Sequence, residues 1–92
     1  MIEFLMHVEA DTVGVAVVDI KAGRRVTGRL LHGKAKPTVK ALMDIPLGHK
    51  IALRNFQPGD TVIKYGEDIG KVVAPIKKGE LVHVHNLKTK RW

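Results

Sequence analysis

The sequence predicts a small all-β domain. Three observations carry that reading. Short runs rich in Val, Ile, Leu and Thr alternate apolar with polar residues, one glycine turn pattern recurs four times, and no stretch of a dozen residues carries a helical stripe. The recurring pattern is apolar-x-x-Gly-x-x-apolar, in Ile20-Gly23-Val26, Ile45-Gly48-Ile51, Phe56-Gly59-Val62 and Ile76-Gly79-Val82. It reads as a strand ending, a tight turn with a positive φ that glycine accepts without steric cost, and a new strand leaving. Pro46 and Pro58, with φ fixed by the ring, precede two of these glycines. The spacing is too irregular for a solenoid.

Taken in order, strands are expected at 13–18, 28–31, 39–43, 50–53, 61–65, 70–73 and 81–85. Residues 13–18, VGVAVV, form an apolar run of strand length. The stretch 31–38 follows the second strand as the longest loop, basic and exposed. The third strand lies inside TVKALMDI, which also admits one or two helical turns. KIAL and TVIKY leave the second and third glycine turns, and Glu67-Asp68 forms an acidic turn before 70–73. In the last strand, Val82-His83-Val84-His85 alternates most strictly.

Ninety-two residues make a single domain, 1–92, and a chain this size buries only about two-thirds of its unfolded surface. Its core stabilises it modestly, so the strand edges and the Trp92 end are expected to meet a partner. MIEFLMHVEAD holds Glu3 and His7 where a secretory signal needs basic and then apolar residues, and no apolar run reaches the roughly 18 residues of a membrane span. The absence of cysteine excludes disulfides and thiolate metal sites and fits a cytoplasmic protein.

Sixteen Lys and Arg against nine Asp and Glu leave a formal charge of +7, which implies an anionic partner. The aromatic residues are Phe4, Phe56, Tyr65 and Trp92. A nucleic-acid surface interleaves stacking rings with its cations, so nucleic acid is disfavoured.

Metal ligands would have to come from histidines and carboxylates. In a strand, His83 and His85 leave the same face roughly 7 Å apart and could share an ion or relay a proton, although two ligands do not close a site. A solvated strand face is the plainer account of the same spacing. His49 and Lys50 follow a turn glycine, where a cation can meet a carboxylate or phosphate. Lys64 and Tyr65 precede Gly66, and a Tyr hydroxyl beside a Lys can steady an oxyanion; Tyr65 also suits the edge of a core. Glu67 and Asp68 are adjacent and diverge, which argues against paired acid–base work. No phosphate-cradling motif is present, and the chain contains no serine.

Gly48-His49-Lys50, Ile63-Lys64-Tyr65-Gly66, Ile69-Gly70 and His83-Val84-His85-Asn86 together resemble the small amino-terminal SAF module of the altronate and galactarate dehydratases. The likeness is close over 44–88 and weaker over 6–18. It implies a β-clip, in which long bent hairpins fold over on themselves. It implies β-elimination of water from sugar-derived hydroxy acids to 2-keto-3-deoxy acids, with divalent iron or manganese. In the fused enzymes a large catalytic region follows this module; in split relatives, as in two-subunit sulfolactate dehydratases, it is a separate chain. The resemblance therefore implies a small subunit inactive alone, with the metal held mainly by a large subunit. Catalytic roles would fall to His83, His85 and Tyr65, with His83 and His85 also the metal-ligand candidates. The acidic substrate would be bound by His49, Lys50, Lys64 and Asn86. A non-catalytic SAF module binding an acidic sugar is the alternative, and a homo-oligomer stays open.

Overall fold

The computed structural model describes residues 2–64 and 67–83, and strand backbone at 87–88. Tyr65, His85, Asn86 and Trp92 lie outside the described residues. Nine strands are present among those described: β1 (Phe4–Met6), β2 (Val13–Ala16), β3 (Arg25–Leu30), β4 (Thr38–Lys40), β5 (Lys50–Ala52), β6 (Thr61–Lys64), β7 (Glu67–Val72), β8 (Leu81–Val82) and β9 (Leu87–Lys88). They form one sheet in the order β4-β3-β1-β2-β5-β8 and a second in the order β6-β7-β9. All ladders are antiparallel except β1 with β3. The all-β expectation holds, and the curled double-sheet arrangement is consistent with a small SAF β-clip.

The four glycine turns organise both halves. Ile20 and Ile45 exchange backbone hydrogen bonds of 2.9 and 2.8 Å, and Phe56 and Ile76 do the same at 2.7 and 3.1 Å. Each turn glycine then donates its N–H to the carbonyl four residues before the partner apolar residue. These bonds are Gly23 to Ala41 (2.7 Å), Gly48 to Ala16 (2.8 Å), Gly59 to Val72 (2.8 Å) and Gly79 to Ala52 (2.9 Å). The four glycines have φ between 86° and 97°. The motif thus folds as two reciprocal pairs, each pair clipping its own half of the chain.

The residue before the apolar position completes the device. Asp19 Oδ1 accepts from Leu47 N–H and Asp44 Oδ1 from Ala22 N–H, both at 2.9 Å. Asn55 Oδ1 accepts from Lys78 N–H at 2.8 Å. In the fourth place Pro75 has no acceptor side chain, and Pro58 opposite it has no N–H to satisfy. Donor and acceptor are missing together, so no buried group is orphaned there.

All eight apolar positions of the motif are at most 2% exposed. They divide between two cores: the Ile20 and Ile45 pair packs with Phe4, Val26 and Ile51, and the Phe56 and Ile76 pair with Val62, Val72 and Val82. Phe4 fills the first core because Gly14 and Gly28 leave room for its ring; a Cβ on either would run into it. Burying a ring this completely stabilises the fold by roughly 1.5–3 kcal/mol. Glu3 is also buried, with its carboxylate accepting from Thr27 N–H (3.1 Å) and from the Arg24 guanidinium (3.2 Å).

Several expectations are corrected. The helical turn in TVKALMDI does not form: Val39 and Ala41 point inward while Lys40 and Leu42 are exposed, a period of two. Ala41 N–H bonds to Arg24 O at 2.8 Å, which extends the β4 pairing instead. Strand β1 and the early start of β3 at Arg25 were not among the expected strands: β1 is set by its parallel pairing with 28–30, and residues 25–27 by their antiparallel pairing with β4. Glu67 and Asp68 are not a turn; they open β7, with Glu67 opposite Lys64. Strand β8 stops at Val82 and His83 lies in a bend. The ladder ends there because the partner chain turns away at Gly48, and the His49 carbonyl is taken by Ala16 N–H at 2.9 Å.

Candidate functional site

His49 and Lys50 enter β5 directly from the Gly48 turn, and β5 is held between β2 and β8. Lys50 is opposite Val82, and Ile51 is opposite Leu81. One step outward, His49 therefore meets His83, with ring centroids 5.3 Å apart and planes tilted by 51°. His49 is half-buried, and its Nδ1 is enclosed with no hydrogen-bond partner among the described residues. His83 is exposed. Together they present two imidazoles at the open end of the β5–β8 ladder.

The ammonium groups occupy the other face. Side chains alternate along a strand, so Lys50 shares a face with Ala52 and Val82, both in the second core, while Ile51 and Leu81 pack on the first. On β6, Lys64 shares parity with buried Val62 of that second core. Burial lowers the pKa of Lys50 below its usual 10.5, and the positive charge of Lys64 lowers it further. Two cations whose charges act on each other at the edge of a core could stabilise an anion between them. Glu67, opposite Lys64 in the ladder, is exposed.

Thr12 holds this arrangement. Its N–H donates to Ile63 O (2.8 Å), its Oγ1 accepts from Ile63 N–H (2.9 Å), and its carbonyl accepts from Leu53 N–H (3.0 Å). One residue thus ties β6 to the chain leaving β5 and sets Lys64 beside Lys50. Nothing in EADTVGV distinguishes this threonine from an ordinary strand residue, so sequence reasoning passed it over.

The structure thus brings His49 to His83 and Lys50 to Lys64, on opposite faces of one ladder. Among the described residues no group of three or more His, Asp or Glu is placed to hold a metal. The two imidazoles do not make a closed metal site. Val17 and Leu47 are apolar and exposed, at 37% and 61%. No helix of the described residues is long and apolar enough to cross a membrane.

The sequence profile of the altronate/galactarate dehydratase SAF domain matches residues 2–90. A (2R)-sulfolactate sulfo-lyase subunit alpha from Chromohalobacter salexigens is 47% identical over 92 residues, 99% of this chain and 98% of that protein. A protein of the same name from Paracoccus pantotrophus is 62% identical over 55 residues, 60% of this chain and 79% of that one. The altronate dehydratase of Bacillus subtilis is 38% identical over 89 residues, 97% of this chain but 17% of the enzyme.

Proposed function

Because the chain belongs to the altronate/galactarate dehydratase SAF domain family, we propose that it is the small subunit of a two-subunit hydroxy-acid lyase. The observation that carries this reading is end-to-end similarity to a separate alpha subunit, together with similarity to a small fraction of a dehydratase. The enzyme's remaining machinery is assigned to a large partner subunit, and the small chain is inactive alone. The absence of cysteine suits the cytoplasm, where the proposal places the enzyme.

The relatives named sulfo-lyases break a carbon–sulfur bond, where sugar-acid dehydratases release water. Both reactions share one electronic course, and the proposal takes (2R)-sulfolactate as the substrate. A base removes the proton from the hydroxyl-bearing carbon next to the carboxylate. The released pair forms the carbon–carbon double bond, and the β-substituent leaves with its bonding pair, as sulfite in this case. The resulting enol tautomerises to a 2-keto acid.

Negative charge grows on the carboxylate side as the proton leaves, and fixed cations lower that barrier. Lys50 and Lys64 are assigned to the acid groups of the substrate, which carries both a carboxylate and a sulfonate. His49 and His83 are assigned to proton transfer or to orienting groups on the partner, since neutral imidazole can exchange protons near neutral pH. Tyr65, His85 and Asn86 remain in the proposed site on the strength of the family resemblance. The divalent iron or manganese that the resemblance implies is assigned to the large subunit, because the described residues offer two imidazoles and no third ligand.

Mixing the chain with its large subunit tests the proposal, with sulfite and 2-keto acid measured from (2R)-sulfolactate and 2-keto acid from altronate and galactarate. Release of sulfite that requires both chains is the expected result. Full activity of the large chain without this one would overturn the reading. Strict preference for altronate or galactarate would move the chain to the dehydratase branch.

A further inference from the structure

A second basic locus lies at the far end of the long sheet. Strands β1 and β2 separate β3 from β5, so at about 4.8 Å per strand these two strands are roughly 14 Å apart. There the loop joining β3 to β4 borders a hollow of ≈ 430 Å³. Ile2, Leu30 and Ala35 supply its apolar lining and Arg29, Lys34 and Lys36 its cations, and among the described residues no carboxylate lines it. The loop is tied at both ends. Leu31 N–H bonds to Met6 O (2.9 Å), His32 N–H to His7 O (3.0 Å), and Gly28 N–H to Pro37 O (2.8 Å). The His32 ring also packs on His7 at 4.6 Å.

We propose that this hollow is a docking site for an acidic segment of the large subunit, separate from the Lys50 and His49 site. The inference rests on the two-subunit reading above. Three cations with no carboxylate among the described lining residues, around an apolar lining, match a peptide that carries carboxylates beside apolar side chains, and the net charge of +7 draws such a partner in from a distance. A small free anion is a poorer occupant, because Arg29, Lys34 and Lys36 are all exposed and keep their hydration. Nucleic acid is poorer still, since among the described residues no aromatic ring lines the hollow to stack on bases. A second copy of this chain brings the same +7 and is repelled.

The test is binding of the large subunit to the native chain and to an Arg29→Glu, Lys34→Glu, Lys36→Glu variant, at low and high salt. An Arg29→Gln, Lys34→Gln, Lys36→Gln variant is carried beside it, and both are checked for folding by urea denaturation. At low salt the charge-reversed variant is expected to bind at least about tenfold more weakly, mostly through a slower association rate, with the neutral variant between. Salt should weaken the native complex and change the variants less. At saturating small subunit, turnover should match the native enzyme, since the Lys50 site is untouched. Equal affinity of all three chains at low salt would overturn the inference while leaving the two-subunit reading intact. Failure of the native chain to bind the large subunit at all would overturn both. Tighter binding of a uridine oligonucleotide than of the large subunit, lost in the reversed variant, would reassign the hollow to nucleic acid.

Discussion

Lys50 and Val82 are Cα partners across β5 and β8, and that register decides what each face of the site contains. Val82 is fully buried in the second core, so Lys50 is drawn against apolar side chains and toward Lys64. One residue outward, the same register sets His49 against His83 on the opposite face. A slip of one residue would exchange the two faces.

The first prediction concerns the imidazoles. His83→Ala is expected to lower turnover of the reconstituted enzyme about ten- to a thousandfold, the usual range for a lost proton-transfer or orienting group. Its melting temperature should stay within about a degree or two of native, because the residue is exposed. His49→Ala should lower both, since His49 is half-buried. A His49→Ala, His83→Ala chain with native turnover would remove the pair from the mechanism.

The second concerns pH. The folded-state pKa of Lys50 lies below 10.5, through burial first and Lys64 second. Below the folded value both states hold the proton, and the charged, partly buried group lowers stability in full. Between the folded value and 10.5 the unfolded chain binds more proton than the folded one, so this contribution to stability rises with pH. Lys50→Met is therefore expected to stabilise the isolated chain near neutral pH, with the advantage shrinking as pH approaches 10.5. Urea denaturation at a series of pH values reads this directly, and a pH-independent difference would contradict it. Sulfate or sulfolactate held between the ammonium groups would raise the Lys50 pKa, so alkaline binding should take up protons in buffer-dependent calorimetry.

The third concerns Thr12 as a positioning residue. Thr12→Val removes the acceptor for Ile63 N–H and should cost about 1–2 kcal/mol of stability. In the reconstituted enzyme it should raise the substrate KM more than it lowers kcat, because Lys64 loses its placement beside Lys50. Thr12→Ser keeps the oxygen and should restore the KM. Loss of stability with an unchanged KM would leave Thr12 a purely structural residue.

The fourth tests the reciprocal turns. Asp19→Ala, Asp44→Ala and Asn55→Ala each remove one side-chain acceptor from a turn N–H and should each cost about 1 kcal/mol. Pro75→Asn should bring no gain, because Pro58 offers no N–H to bind. Gly23→Ala pays the positive-φ cost of about 1–2 kcal/mol and meets no neighbouring atom. Gly79→Ala should be markedly worse, since its Cβ would collide with the Lys40 carbonyl oxygen. Equal urea midpoints for these two alanine variants would contradict the packing argument.

By itself the sequence determined the fold class and the four turns. A glycine three positions after a buried residue carries its conformational requirement in its own chemistry, and the alternation of Val and Ile carries the strand faces. It also marked His49, Lys50 and Lys64, as residue types in a family pattern. Only the tertiary structure decided which turn clips to which, since Ile20 and Ile45 are joined by backbone hydrogen bonds that any residue can make. It alone showed that Lys50 and His49, adjacent in the chain, lie on opposite faces, and that Thr12 aligns a lysine 52 positions away in numbering from it, as the bonds from Thr12 to Ile63 require. Register and long-range hydrogen bonds depend on the packing of both cores at once, and no local stretch of residues encodes that sum.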